Sequence, residues 1–332
     1  MRFLFFTDLH IRGNNPRSRK DNFVETLKAK LNELVEISIN ENIDKVLFGG
    51  DLFDRPDVSI SVVKDFIKII KNFPTPILCV IGNHDVYGQN PNSVNRTILG
   101  LLEELKIVEF LDHQPKIFYT NNGKSIQVTG SNYYYNVDGK DKSAYIVNKK
   151  FADYAIHVVH GFLLEKPFNN EVNYTLIDDI APFTAADVTL AGHYHNGFGI
   201  KNYCNKYFIN PGAISRISNA LSEIRRIPSY VIIDIDSHIN TEIRPLKCAQ
   251  IGENVLDREK LIIEHNKNIL FNKFVHQITS YGNFELMKLE NIISEIAKHE
   301  NISEIIKNEA LNKIALAQDL ISKEEVNLEW GI

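Results

Sequence analysis

Over the first 130 residues the chain alternates short apolar runs with stripes at helical spacing. Residues 2–7 form an apolar run that reads as a first strand. Phe23, Leu27, Leu31, Leu34, Val35 and Ile39 recur on one side of a helix predicted over 22–40. Val62, Val63, Phe66, Ile67 and Ile70 do the same over 59–71. Between and after these helices, 45–48 and 76–81 read as buried strands, each closed by glycine. Strand–helix–strand–helix–strand implies right-handed parallel crossovers.

Residues 106–246 change character. Short strand-like runs dominate at 116–119, 125–129, 154–160, 187–191, 207–209, 230–235 and 239–244, with Gly and Asn as punctuation. Residues 136–150 and 165–180 read as polar loops or short helices. A parallel first half and an antiparallel second half predict two β-sheets packed face to face with helices outside, an α/β sandwich of four layers. From about 251 the pattern is helical again. Leu286, Leu289, Ile292, Ile293 and Ile296 make one stripe, and Ile302, Ile305, Ile306, Leu311, Ile314, Ala315 and Leu320 approximate a second. Together they predict a helical hairpin over 285–321. The expected division is a domain over 1–246 and a helical region over 247–332.

Charge sharpens that division. Residues 1–250 carry 28 basic and 28 acidic side chains, whereas the remainder carries 9 and 14, so the tail holds the whole net −5. A neutral body cannot grip nucleic acid by bulk positive charge, although a local basic rim is compatible with it. Cys79, Cys204 and Cys248 are scattered and form neither a disulfide framework nor a paired zinc spacing, which fits a reducing, cytoplasmic setting. The apolar start stops at Asp8, and no segment approaches the ~18 apolar residues a membrane span requires.

The candidate chemistry sits where strands end. In chain order these ends read Asp8-Leu9-His10, Gly50-Asp51-Leu52-Phe53-Asp54-Arg55, Gly82-Asn83-His84-Asp85, His160-Gly161 and Gly192-His193-Tyr194-His195. In an open α/β sheet the carboxyl ends of the strands line the ligand crevice, so five ends can deliver side chains to one place. Carboxylates, imidazoles and an amide oxygen without thiolate suit divalent Mn, Fe, Co or Zn, and speak against a structural zinc. Asp8, His10, Asp51, Asn83, His160, His193 and His195 supply the seven ligands that two ions sharing one carboxylate need. Two ions ~3.5–4 Å apart can hold a hydroxide and clamp a phosphate for in-line attack. Any one of these motifs alone is commonplace, because Asp after a strand often caps a helix and Gly-Asn often makes a turn. Their ordered recurrence is what carries the reading.

As a set, DxH, GDxxD, GNHD, a strand-end His and GHxH resemble the ordered signature of the calcineurin-like metallophosphoesterases over residues 1 to about 246. That resemblance implies a four-layer fold with a two-metal centre. It further implies that Asp8, His10 and His195 hold one ion, that Asn83, His160 and His193 hold the other, and that Asp51 bridges them. His84 would protonate the leaving oxygen or contact phosphate, Asp54 would orient His84 as a His–Asp dyad, and Arg55 would touch phosphate. Within the family, GGDLFD, the GNHD spacing and Asn210-Pro211-Gly212-Ala213 look most like SbcD-type DNA repair nucleases and phage recombination endonuclease subunits. Many of those carry His where this chain has Asp54, so the expected dyad resembles the phosphatases. The implied cofactors are two divalent ions, with Mn2+ first and Mg2+, Fe2+, Co2+ or Zn2+ as alternatives. The implied partners are DNA and an SbcC-like coiled-coil ATPase, with a homodimer as a further expectation and no membrane; the C-terminal hairpin either packs on the chain's own catalytic domain or docks on that ATPase, as the resemblance implies.

Other residues stay open. Arg12, Arg17, Arg19 and Lys20 follow the first motif, and Arg216, Arg225 and Arg226 follow the NPG turn; either group is a solvated loop or a contact to the phosphate backbone. Tyr133, Tyr134 and Tyr135 either stack bases or pack at a sheet edge. His157 competes with His160, three residues away on the opposite strand face. His113, His238, His265, His276 and His299 lie away from strand ends and read as solvated or capping. The expected function is a metal-dependent DNA nuclease of recombination or repair. A phosphodiesterase or phosphatase for small or protein-borne phosphates is the alternative, and a binding subunit with a vestigial site is a third reading.

Overall fold

The computed structural model describes residues 1–168, 172–257, 293–294, 297–298 and 302–313. The chain divides into two compact units, Met1–Ile262 and Ile263–Ile332. Along the first unit the elements are β1 (Arg2–Phe6), α1 (Phe23–Asn40), β2 (Lys45–Phe48), α2 (Ile60–Ile70), β3 (Ile77–Cys79), α3 (Ile98–Glu104) and β4 (Val108–Phe110). There follow β5 (Lys116–Tyr119), β6 (Ser125–Ser131), β7 (Tyr154–Val159), β8 (Leu163–Leu164), β9 (Thr175–Leu176), α4 (Ile177–Ile180) and β10 (Val188–Ala191). The unit continues with β11 (Gly199–Tyr203), β12 (Lys206–Asn210), α5 (Leu221–Arg225), β13 (Ser229–Ile235), β14 (Ile239–Pro245) and α6 (Gly252–Val255).

Two six-stranded sheets result, ordered β14-β13-β1-β2-β3-β4 and β11-β12-β10-β7-β6-β5. In the first, β1 to β4 run parallel and β13 and β14 add antiparallel. The second corrects the expectation of an antiparallel half. Its four inner strands, β12, β10, β7 and β6, pair in parallel, and only the outer pairs β11/β12 and β5/β6 are antiparallel. The physical reason lies in the connections: the polar segments after β6 and β7 are long enough to cross over and return each strand in the same sense, which a hairpin turn cannot do.

Strand alternation sorts the core into layers. From β1, Phe3 and Phe5 join Leu47, Leu78, Val128, Ile156, Val158 and Leu190 between the two sheets. Leu4 and Phe6 face the other way, onto Leu27, Leu31 and Leu34 of α1 and Phe66 and Ile70 of α2. Outside the second sheet, Tyr145, Ile177, Ile180 and Phe208 form a third cluster. The α1 stripe is entered through Asn22, whose side chain accepts the Glu25 N–H. This is the four-layer α/β-β/α sandwich, and it turns the carboxyl ends of β1, β2, β3, β7 and β10 toward one edge.

In the second unit, Ile293 and Ala297 are buried, whereas Ile302, Ile305 and Ile306 are exposed, the last two on a helix over 304–313. Most of the expected hairpin, together with His265, His276 and His299, lies outside the described residues. Among those residues no helix is long and apolar enough to cross a membrane.

Candidate metal centre

Four of the strand-end residues adopt left-handed backbone: Asp8 (φ 55°), His10 (φ 47°), Asp51 (φ 57°) and His193 (φ 70°). For residues with a Cβ this conformation is strained by on the order of 1–3 kcal/mol each, and it persists only where the surroundings hold it. Here they do. Asp8 N–H donates to Gly50 O at 3.1 Å, and His10 N–H to Asp51 O at 3.0 Å. His193 N–H donates to the Asp8 carboxylate at 3.2 Å. Gly50 and Gly82 permit the close approach. A Cβ on Gly50 would lie 2.3 Å from His160 Nδ1, and one on Gly82 would lie 2.1 Å from the Asp51 carboxylate.

The side chains converge in three sets, two of which share Asp51, while the third brings His10, Asp54 and His84 together. Donor atoms of Asp8, His10, Asp51 and His195 all lie within 4.8 Å of one another, as do those of Asp51, His160 and His193. Asn83 Oδ1 joins the second set, 3.1 Å from His160 Nε2. His10 Nε2 and His195 Nε2 face each other at 3.0 Å. His195 Nε2 is 3.6 Å from Asp8 Oδ1, and His160 Nε2 is 3.4 Å from Asp51 Oδ2. Ligands bound ~2.0–2.2 Å from a common ion take up separations of this kind. His160 Nδ1 donates to Gly49 O at 2.6 Å, which fixes the ring with Nε2 directed inward.

Electrostatics point the same way. Asp8 and Asp51 are fully buried carboxylates. Burial raises the Asp8 carboxyl above its ordinary value. Burial acts on Asp51 in the same sense, yet the adjoining His160 and His10 hold it well below the usual carboxylate range. Burial disfavours charge on His160, but Asp51 outweighs it and pushes the imidazole up to about 9. Burial drives His10 well below the ordinary imidazole value and His193 down to about 3. Two buried carboxylates ringed by imidazoles demand compensating positive charge. With the oxygen and nitrogen donor set, this fits borderline divalent cations.

The remaining expected residues are placed less uniformly. His84 adjoins the first set, its ring centroid 4.7 Å from that of His10. Its N–H donates to Asp51 Oδ1 at 2.8 Å. The dyad with Asp54 needs correction: His84 Nδ1 meets the backbone carbonyl of Asp54 at 2.8 Å, while the Asp54 carboxylate pairs with Arg12 at 3.2 Å. The turn after Asp51 presents the main-chain oxygen to His84 and swings the side chain toward the arginine. Arg12 therefore lies at the rim of the site. Arg17 is exposed on the same loop, and Arg55 is exposed and paired with Asp57 at 3.2 Å. Arg216 is not a surface contact at all. It is 0% exposed and donates to the carbonyls of Arg226 and Gln250, so its charge cannot reach a nucleic-acid backbone. His157 is buried away from the cluster, between Thr129 Oγ1 and Ala144 O.

Three features escaped the sequence reading. Asp85, last of the GNHD run, is fully buried and accepts N–H bonds from Gly82, Asp51, Leu52 and Phe53. It welds the second strand end to the third. Its place in the motif was the available signal. Thr7 Oγ1 donates to Asp8 Oδ2 at 2.6 Å. Tyr133 and Phe162 flank His193, with ring centroids 5.4 Å and 5.7 Å away. Tyr133 was visible as an aromatic run, but nothing local tied it to the GHxH turn.

Comparison with known proteins bears on this geometry. Residues 1–197, a span that contains all seven candidate ligands, match the family described as calcineurin-like phosphoesterase. The DNA double-strand break repair protein Mre11 of Sulfolobus acidocaldarius is 26% identical over 298 residues, covering 80% of this chain and 72% of that protein. A subunit of the nuclease SbcCD of Staphylococcus epidermidis is 26% identical over 310 residues, covering 84% of this chain and 80% of that protein.

Proposed function

The chain belongs to the calcineurin-like phosphoesterase family, and from that premise we propose that this metal-dependent hydrolase is a DNA nuclease of recombination or repair. The observation that carries the reading is the pair of donor sets joined at Asp51. The relatives' names, a double-strand break repair protein and a nuclease subunit, support DNA as the substrate.

In this reading Asp8, His10 and His195 hold one ion, Asn83, His160 and His193 hold the other, and Asp51 bridges. Mn2+ is the ion we assign first; carboxylate, imidazole and amide donors without thiolate admit it together with Fe2+, Co2+ and Zn2+. When bound, the two ions supply Lewis acidity and an activated water for in-line attack on a phosphodiester. The chain's own residues do the rest. Asp85 fixes the loop that presents Asp51. The Nδ1–H of His84, tied to the Asp54 carbonyl, leaves Nε2 to hold or give a proton at the leaving oxygen. Arg12, held by Asp54, stands at the rim where a flanking phosphate would pass, with Arg17 and Arg55 further out. Phe162 and Tyr133 shield His193 from water.

Residues 1–246 form the catalytic domain in this account, and 247–332 the region that docks a coiled-coil ATPase. Exposed Ile305 and Ile306 and the acidic charge of that region support the assignment. DNA as substrate and three unpaired thiols support a cytoplasmic location. The test is Mn2+-dependent cleavage of linear duplex and single-stranded DNA beside a small chromogenic phosphodiester. DNA cleavage abolished by chelation is expected. Turnover of the small ester alone would overturn the nuclease assignment and leave a small-molecule phosphodiesterase.

A further inference from the structure

Residues 213–216 form a rail between the metal centre and a group of basic side chains, with Lys30 and Arg19 buried and Arg226 partly exposed. On one side its amides bind the site. Ala213 N–H donates to His195 O at 2.9 Å, and Ile214 N–H to Thr7 O at 3.0 Å. Ser215 bonds Asp8 O twice, through N–H at 3.2 Å and through Oγ at 3.1 Å. On the other side all four of its carbonyls are met by basic side chains. Arg226 donates to Ala213 O and to Ser215 O. Lys30 Nζ donates to Ile214 O at 2.7 Å, and Arg19 Nη1 to Arg216 O at 3.2 Å. Two candidate ligands from distant parts of the chain, Asp8 and His195, are thus tied to one short segment whose position is set from behind.

We propose that Arg226 is a positioning residue for the metal centre. By clamping the carbonyls of Ala213 and Ser215 it sets the spacing of Asp8 and His195, and so the affinity of the ion held by Asp8, His10 and His195. In the other set Asn83 and His160 stand on different strand ends, and His193, which shares the β10 end with His195, bonds the Asp8 carboxylate rather than the segment, so the clamp acts on that set only indirectly. The inference rests on the ligand assignment above.

Chemistry favours arginine for this task. Its Nε and Nη2 bind Glu223 as a fork at 2.9 Å and 2.8 Å, and the remaining donors span both carbonyls. Glu223 is 3% exposed, so the pair is desolvated and its geometry rigid. A lysine would neutralise Glu223 equally well but, as a compact point charge, cannot reach both carbonyls and the carboxylate together. Buried ion pairs are weak sources of stability compared with apolar packing, so a pair that also grips two carbonyls points to alignment.

The experiment is calorimetric Mn2+ titration of the full-length protein, with melting temperature recorded on the same samples. Groups that orient metal ligands are typically worth about 10–100-fold in affinity. R226M should lose that much at one of two sites and leave the other within about twofold. R226K should recover the melting temperature, because Glu223 regains a partner, without recovering the affinity. In a His195→Ala background R226M should add nothing, whereas in His193→Ala it should add its full effect. If R226M does not fold, K30M releases only the Ile214 carbonyl and should weaken the same site to a smaller degree. Wild-type affinity at both sites in R226M, or recovery of affinity in step with melting temperature in R226K, would overturn the proposal. Fewer than two Mn2+ bound by the unmutated protein, or no ion lost on His195→Ala, would instead refute the ligand assignment and the proposal with it.

Discussion

Asp85 offers a place to work a prediction through. Its carboxylate lies fully buried between two strand ends. Oδ2 accepts the N–H groups of Gly82 and Asp51 at 3.0 Å each and of Leu52 at 3.4 Å, and Oδ1 accepts that of Phe53 at 3.0 Å. Asp85→Ala leaves these donors facing a void. An orphaned buried donor costs about 1–3 kcal/mol, so the three shorter bonds alone represent roughly 3–9 kcal/mol. That is comparable with the whole stability of a typical domain, about 5–15 kcal/mol. Asp85→Asn is the gentler probe. Its oxygen can replace Oδ2, but its amide then faces the Phe53 N–H, orphaning two groups at roughly 2–6 kcal/mol. At about 2–4 °C per kcal/mol for a chain of this order, the melting temperature should fall by at least ~4 °C. In Asp85→Ala, where Asp51 loses its backbone anchor as well, Mn2+ affinity should fall about 10–100-fold. Scanning fluorimetry with and without Mn2+, beside calorimetric titration, reads both effects. An Asp85→Asn protein that melts like the unmutated chain, or a folded Asp85→Ala protein that binds Mn2+ like it, would refute the reasoning.

His84→Ala should lower DNA turnover about 10²–10⁴-fold with both ions retained; metal loss in elemental analysis would move His84 into the ligand set. Asp54→Ala should be milder, since the bond to His84 comes from the backbone carbonyl and survives, and an effect as large as that of His84→Ala would contradict this geometry. His157 supplies the pH prediction. Burial lowers it from 6.5 to about 4, so the unfolded chain binds more protons between those values and stability falls as pH drops through that window. At 1.36 kcal/mol per unit the loss approaches about 3 kcal/mol by pH 4. Urea unfolding at pH 7 and pH 4.5 should show His157→Gln losing less than the unmutated protein, and equal losses would exclude His157 as the cause.

Much of this was legible in one dimension, for physical reasons. The apolar run at residues 2–6 and the α1 stripe are strong signals, and a strand end crowded with Asp, His and Asn has few structural explanations. Three-residue β4 and the polar β11 were missed because neither carries enough apolar pattern to stand out. The sense of the second sheet was misread because strand direction depends on crossovers, which leave no periodicity. Arg216 was read as surface because its partners, the carbonyls of Arg226 and Gln250, are main-chain groups that sequence does not display. The same blindness hid the Asp54 carbonyl behind its side chain and the four amides around Asp85.

The central claim is a two-ion centre divided by Asp51, and anomalous scattering from Mn2+-loaded crystals tests it most directly. The account predicts two peaks ~3.5–4 Å apart with the Asp51 carboxylate between them, and loss of both in Asp51→Ala. A single peak, or two that persist at full occupancy without Asp51, would contradict it.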